Sequence, residues 1–121
     1  MSRANNAYAQ TNLAGHSPRE LEASALLKAA ARLQSASETA LPGSPDYDAA
    51  LIHNRRLWSI FAGAVSDPAS PMPDALKGQI LTLANFIFNQ TIQATARPSA
   101  EALRSLVTIN RELAAGLRGN G

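Results

Sequence analysis

The chain has 121 residues, a formal charge of +2 and no cysteine. That length suits one domain able to bury a core without cross-links, and the missing cysteines exclude a disulfide framework and thiolate chemistry. Acids and bases are interspersed rather than gathered into a polybasic tract, so the slight basic excess argues only weakly for nucleic acid, and an aromatic content of only 5 % with abundant alanine favours helices over a β-sandwich.

No apolar run approaches the roughly 18 residues that a membrane span requires. The opening stretch, MSRANNAYAQTNLAG, has no continuous apolar core of the secretion-signal kind. The cytoplasm is therefore the expected location. Residues 1–16 read as an N-terminal tail or as a short helix docking through Tyr8, with Ala4 and Ala7 beside it. A single helical domain is expected over 17–118, followed by a C-terminal tail over 119–121.

The first long helix starts at HSPRE. Ser17 can cap, Pro18 suits the first helical position, and Glu20 completes a capping box. From there to about Thr39, Ala23, Leu26, Ala30 and Leu33 recur at spacings of three and four, while Lys28 and Arg32 fall opposite. LPGSPDYD then breaks the chain and restarts it. Ser44 and Pro45 repeat the cap logic, and Asp46 and Asp48 suit the positive end of the helix dipole. The second helix runs to about Val65 on a stripe of Tyr47, Ala50, Leu51, Asn54, Leu57, Trp58, Phe61 and Val65.

The proline-bearing loop SDPASPMPD leads to a third helix, from near Pro73 to about Thr95. Its apolar residues form two rows: Leu76, Ile80, Leu83, Ile87, and, about 100° away, Leu81, Ala84, Phe88, Ile92. Phe86 widens the arc. A helix apolar over so wide an arc is either central in a bundle or shared with a partner. Pro98 ends it and is expected to open the fourth helix, whose stripe is Leu103, Leu106, Val107, Asn110, Leu113, Ala114 and Leu117. Gly116 and the closing RGNG read as stop signals. The expected fold is all-α, a small bundle of four main helices, with a short fifth at the N-terminus as the alternative to a tail.

Two of these stripes are interrupted in the same way: Asn54 precedes Arg55, and Asn110 precedes Arg111. A buried amide must find partners or cost about 1–3 kcal/mol, so an asparagine in a stripe selects the packing that pairs it. The simplest form has the second and fourth helices packed together, with Asn54 and Asn110 bonded to each other or to facing backbone. The alternative has both asparagines and their arginines lining a binding surface. Trp58 reads as a core residue whose indole N–H needs an acceptor, or as an interface anchor together with Arg55 and Arg56.

Catalytic chemistry is not expected. His16 and His53 lie on different segments without ligand spacing, so no metal site is expected. No glycine-rich phosphate loop or nucleophile elbow occurs. The carboxylates gather at helix starts, where the dipole accounts for them. Neither enzymatic activity nor a cofactor is expected.

The elements NRRLW (Asn54 to Trp58), Met72-Pro73, LTLANFI and INRELAAGL, with the early Ala7-Tyr8 and PRELEASALL, resemble the flagellar biosynthesis regulator FlaF family over most of the chain. The family often has Leu-Pro where Met72-Pro73 stands here. The resemblance implies an all-helical, non-enzymatic protein needed for flagellin synthesis and secretion. Its implied partner is flagellin, with FlbT as a further one, and its implied role is a flagellin-binding chaperone or adaptor. The alternative is an RNA-associated post-transcriptional regulator of flagellin expression acting with FlbT. Arg55, Arg56 and Arg111 could touch phosphates, but no aromatics interleave with them for base stacking. A client helix needs apolar anchors within a polar rim. The candidate contacts are Ile52, Ile60, Leu81, Phe86, Phe88 and Ile92 with Arg55 and Arg111. Against this stands the reading in which the third helix is simply the central one and Ile52 and Ile60 are ordinary exposed side chains.

Overall fold

A computed structural model describes residues 18–119. The readings made for Ser17, His16, Tyr8 and the last two residues lie outside them. Four helices make up the described chain: α1 (Pro18–Thr39), α2 (Pro45–Ser66), α3 (Asp74–Ala96) and α4 (Ala100–Gly119). The all-α expectation holds, and no strand occurs among the described residues.

Local chemistry sets each boundary. The α1–α2 link is a tight turn in which the Ser44 N–H donates to the Leu41 carbonyl at 2.9 Å. Pro42 presets the first central position, and Gly43 takes φ +82°, the left-handed value that a type II turn requires at its second. Ser44 then caps α2, its hydroxyl accepting from the Tyr47 N–H at 3.3 Å, with Pro45 following. Asp67 shapes the next loop, its carboxylate accepting from the Ala69 N–H and its carbonyl from the Ser70 N–H, both at 2.9 Å. The last helix opens later than the sequence suggested. Pro98 stays outside it, and Ser99 is the cap, accepting from the Ala102 N–H at 3.0 Å. At the far end, Gly116 does not stop α4, which runs on to Gly119. The buried anchors on either side of it, Ala114 and Leu117, outweigh the roughly 1 kcal/mol that one helical glycine costs.

The three short links make consecutive helices antiparallel. α1 contacts α2, α2 contacts α3, α3 contacts α4, and α4 returns to α1 as the most closely apposed pair of all. The reason is side-chain size. α1 lines its inner side with Ala23, Ala29, Ala30 and Ala36, all buried, so neighbours can approach its backbone. Between α3 and α4, by contrast, stand the half-buried Leu76, Leu83 and Leu113, and these two are the least closely apposed neighbours.

Two expectations are corrected by this arrangement. α2 and α4 are not packed side by side; they sit on a diagonal and meet through side chains. No helix is central either. α3 occupies a corner, so its wide apolar arc is not explained by complete enclosure. Ile80, Ala84, Ile87, Thr91 and Ala94 face inward, while Leu81, Phe86 and Ile92 remain exposed.

Candidate functional site

Trp58 is fully buried, and its indole nitrogen can only donate. The group it meets must therefore be an acceptor: Asn110 Oδ1, at 3.0 Å. That orients the Asn110 amide. Its nitrogen points the other way and donates to Asn54 Oδ1 at 2.8 Å and to the Leu26 carbonyl of α1 at 3.3 Å. One tryptophan thus sets the direction of a network that runs from α2 to α4 and branches there, back to α2 and across to α1. Asn110 uses both of its amide N–H donors and accepts once at Oδ1. Asn54 does not: its Nδ2 is buried and has no acceptor among the described residues. The Phe61 ring leans on Trp58 at a centroid distance of 6.0 Å and 57°, closing the apolar wall around the amides.

A second polar link was invisible in the sequence. Tyr47 read only as a stripe residue, yet its hydroxyl donates to the Ala94 carbonyl at 2.9 Å and accepts from the Ser99 N–H at 3.0 Å. It ties the start of α2 to the α3–α4 link. Thr91, also buried, returns its hydroxyl to the Ile87 carbonyl at 2.7 Å. No periodicity argument could have found the Tyr47 link, because both of its partners are backbone groups remote in sequence, one in the last turn of α3 and one in the link that follows it.

The candidate contact residues divide among separate places. Asp48, Leu51, Ile52 and Arg55 of α2 face Thr91, Ile92, Thr95 and Ala96 of α3 across a groove of about 480 Å³. Ile52 and Ile92, 42 % and 65 % exposed, form its apolar edges, and Asp48 and Arg55 supply opposite charges at its rim. Leu81 is exposed on α3, at a helical spacing that continues the Ile92 side of the groove. Phe88 lies on that side too but is half-buried against the core, so it is not the open contact that the sequence suggested. The remaining candidates are elsewhere. Ile60, 72 % exposed, lines a different groove, between α1 and α2. Phe86 is exposed, well over a quarter turn from Ile92 around α3, and Arg111 is exposed on α4, which does not line the α2–α3 groove. Arg55 and Arg111 are therefore not one site.

Glu22 was not singled out by the sequence. It lies in the α1–α2 groove with one carboxylate oxygen, Oε1, buried and without a hydrogen-bond partner among the described residues. Burial pushes its carboxyl above the usual range, and the Arg19 charge offsets part of that. No group of three or more His, Cys, Asp or Glu side chains able to hold a metal occurs among the described residues. None of the described helices is long and apolar enough to cross a membrane.

In form, then, this is a small antiparallel helical bundle with an amide-locked centre and an uncovered apolar groove on its α2–α3 side. The chain belongs to the family of the flagellar protein FlaF, whose model matches residues 4–117. No curated protein and no solved structure matches it.

Proposed function

We propose that this flagellar protein is a flagellin-binding adaptor that covers an amphipathic segment of its client before export. The observation that carries the reading is the α2–α3 groove, where Ile52 and Ile92 stand open on a bundle whose centre is already fully packed. Such a groove fits the apolar face of one helix. Asp48 and Arg55 at its rim favour a client with a base near one end of that face and an acid near the other. A segment of this kind would otherwise bury its apolar face against its own copies. Covering it needs neither a cofactor nor a covalent step, and FlbT would be a further partner rather than the client.

The test is a titration of purified flagellin into the full chain, repeated at low and high salt. Binding that depends mainly on apolar burial weakens only modestly as salt rises, because few ions are released. Binding of a flagellin leader RNA through Arg55 and Arg56 would instead weaken steeply. Saturable flagellin binding that persists at high salt is the expected result. Salt-sensitive RNA binding without any flagellin binding would replace the adaptor by a post-transcriptional regulator.

A further inference from the structure

Of the large apolar side chains left exposed among the described residues, α3 holds Leu81, Phe86 and Ile92. It is also the helix whose outer side carries no charge. Arg32 and Glu38 on α1, Arg55 and Arg56 on α2, and Arg111 and Glu112 on α4 are all exposed, whereas no charged residue occurs from Gly78 to Ala96. Lys77, at the boundary, turns its ammonium to the Asp67 carbonyl at 3.4 Å. A solvated helix face normally collects charge; a face that keeps apolar and aromatic side chains and loses charge has the composition of an interface core. At about 100° per residue, Leu81 and Ile92 fall in one row and Phe86 about 140° round from Leu81. The exposed Thr82, Asn85, Asn89 and Gln93 lie between them.

We propose that this face is a self-association surface, on which a second copy of the chain packs its α3 antiparallel about a two-fold axis near Ile87. A two-fold of that kind sets each flank of the helix against its own copy and reverses the order of residues along it. The sequence of α3 meets both conditions. Leu81 pairs with Ile92, Thr82 with Gln93 and Asn85 with Asn89, each pair centred within about half a residue of Ile87, and Phe86 lies beside the axis, where it meets its own copy. The chemistry favours a second copy over another partner. A charge near the axis would meet its like, whereas an amide meets its like as donor and acceptor at once. A face of amides, hydroxyls and hydrocarbon suits its own copy and offers a charged partner no anchor. The proposal does not rest on the flagellin reading, since Asn85, Phe86 and Asn89 do not line the α2–α3 groove.

Sedimentation of the full chain from about 1 μM to about 1 mM should show a reversible dimer whose fraction rises with concentration. Two charge variants identify the face. Asn85→Asp with Asn89→Asp, and Asn85→Lys with Asn89→Lys, alter only exposed positions, so both should keep the helical circular dichroism of the unaltered chain. Each alone should dissociate about tenfold more readily or worse, because like charges then meet across the axis, and an equimolar mixture of the two should regain the dimer as a mixed pair. Ile60→Asp, in the α1–α2 groove, should leave the dimer intact. A chain that stays monomeric throughout, a dimer indifferent to the charges, or a mixture that fails to associate would overturn the proposal. So would a dimer lost in Ile60→Asp but kept in the asparagine variants.

Discussion

Asn110 makes three hydrogen bonds where Asn54 makes one. The two amides look alike in sequence, yet their truncations should differ. Asn110→Ala strands the Trp58 indole N–H and Asn54 Oδ1 inside a dry core and should cost roughly 3–5 kcal/mol. Asn54→Ala removes one bond, leaves Asn110 still bonded to Leu26 and Trp58, and discards a donor that has no acceptor. Its cost should be roughly 1–2 kcal/mol. Urea unfolding at equal m-values measures both, and equal costs would mean that Asn54 Nδ2 has a partner after all. Glu22 gives a pH prediction at the same scale. Its carboxyl is pushed above 4.5 by burial, so the folded state holds the proton more tightly than the unfolded chain. The resulting penalty is absent below the unfolded pKa, grows as pH rises through the folded one, and is complete above it. Glu22→Gln should therefore raise the urea midpoint at pH 7, and the gap should close as the pH falls below about 4.5. A gap that widens on acidification would reverse the sign of the argument.

The helices are joined by contacts that secondary-structure patterns do not encode. Tyr47 clamps the start of α2 to the α3–α4 link through two bonds. Tyr47→Phe keeps the ring and should still cost about 1–3 kcal/mol, with faster amide exchange at Ser99. Two glycines should respond in opposite directions. Gly43 has φ +82°, and a Cβ there would stand 3.3 Å from Pro98 Cγ, so Gly43→Ala should destabilise by about 1–2 kcal/mol. Gly63 lies inside α2, where a Cβ meets nothing, so Gly63→Ala should stabilise by about 0.5–1 kcal/mol. Thermal or urea unfolding of the two variants decides the pair.

For the whole molecule, the question is which apolar surface is left over once the bundle has closed. Four corners and a filled centre leave the α2–α3 and α1–α2 grooves on the two flanks of α2. Exposed positions can carry a charge without unfolding the chain, which makes the adaptor reading separable from stability. Ile92→Asp should weaken flagellin binding at least tenfold while changing unfolding free energy by no more than about 0.5 kcal/mol. Leu41→Asp, in the α1–α2 turn and 78 % exposed, should change neither. Loss of binding in both variants would point to a nonspecific apolar effect and against the groove.

Helix number, polarity and most of the core were legible because they rest on local rules. The stripe positions Ala23, Leu26, Ala30 and Leu33 are all buried, as are Leu103, Leu106, Val107, Asn110, Ala114 and Leu117, since a period of 3.6 brings them to one face whatever that face meets. That Asn54 and Asn110 need partners was equally legible, because a buried amide is costly without them. Which helices lie adjacent was not: the alanines of α1 admit α4 more closely than any other pair, and this puts α2 and α4 on a diagonal. Amide direction was not legible either, since it depends on a donor-only indole arriving from another helix. Candidate contacts on one helix were divided between grooves because neighbouring helices decide which apolar side chains are covered. Periodicity acts within a helix and is written in the chain; adjacency and leftover surface depend on side-chain volumes meeting across the bundle, and only the tertiary structure decides them.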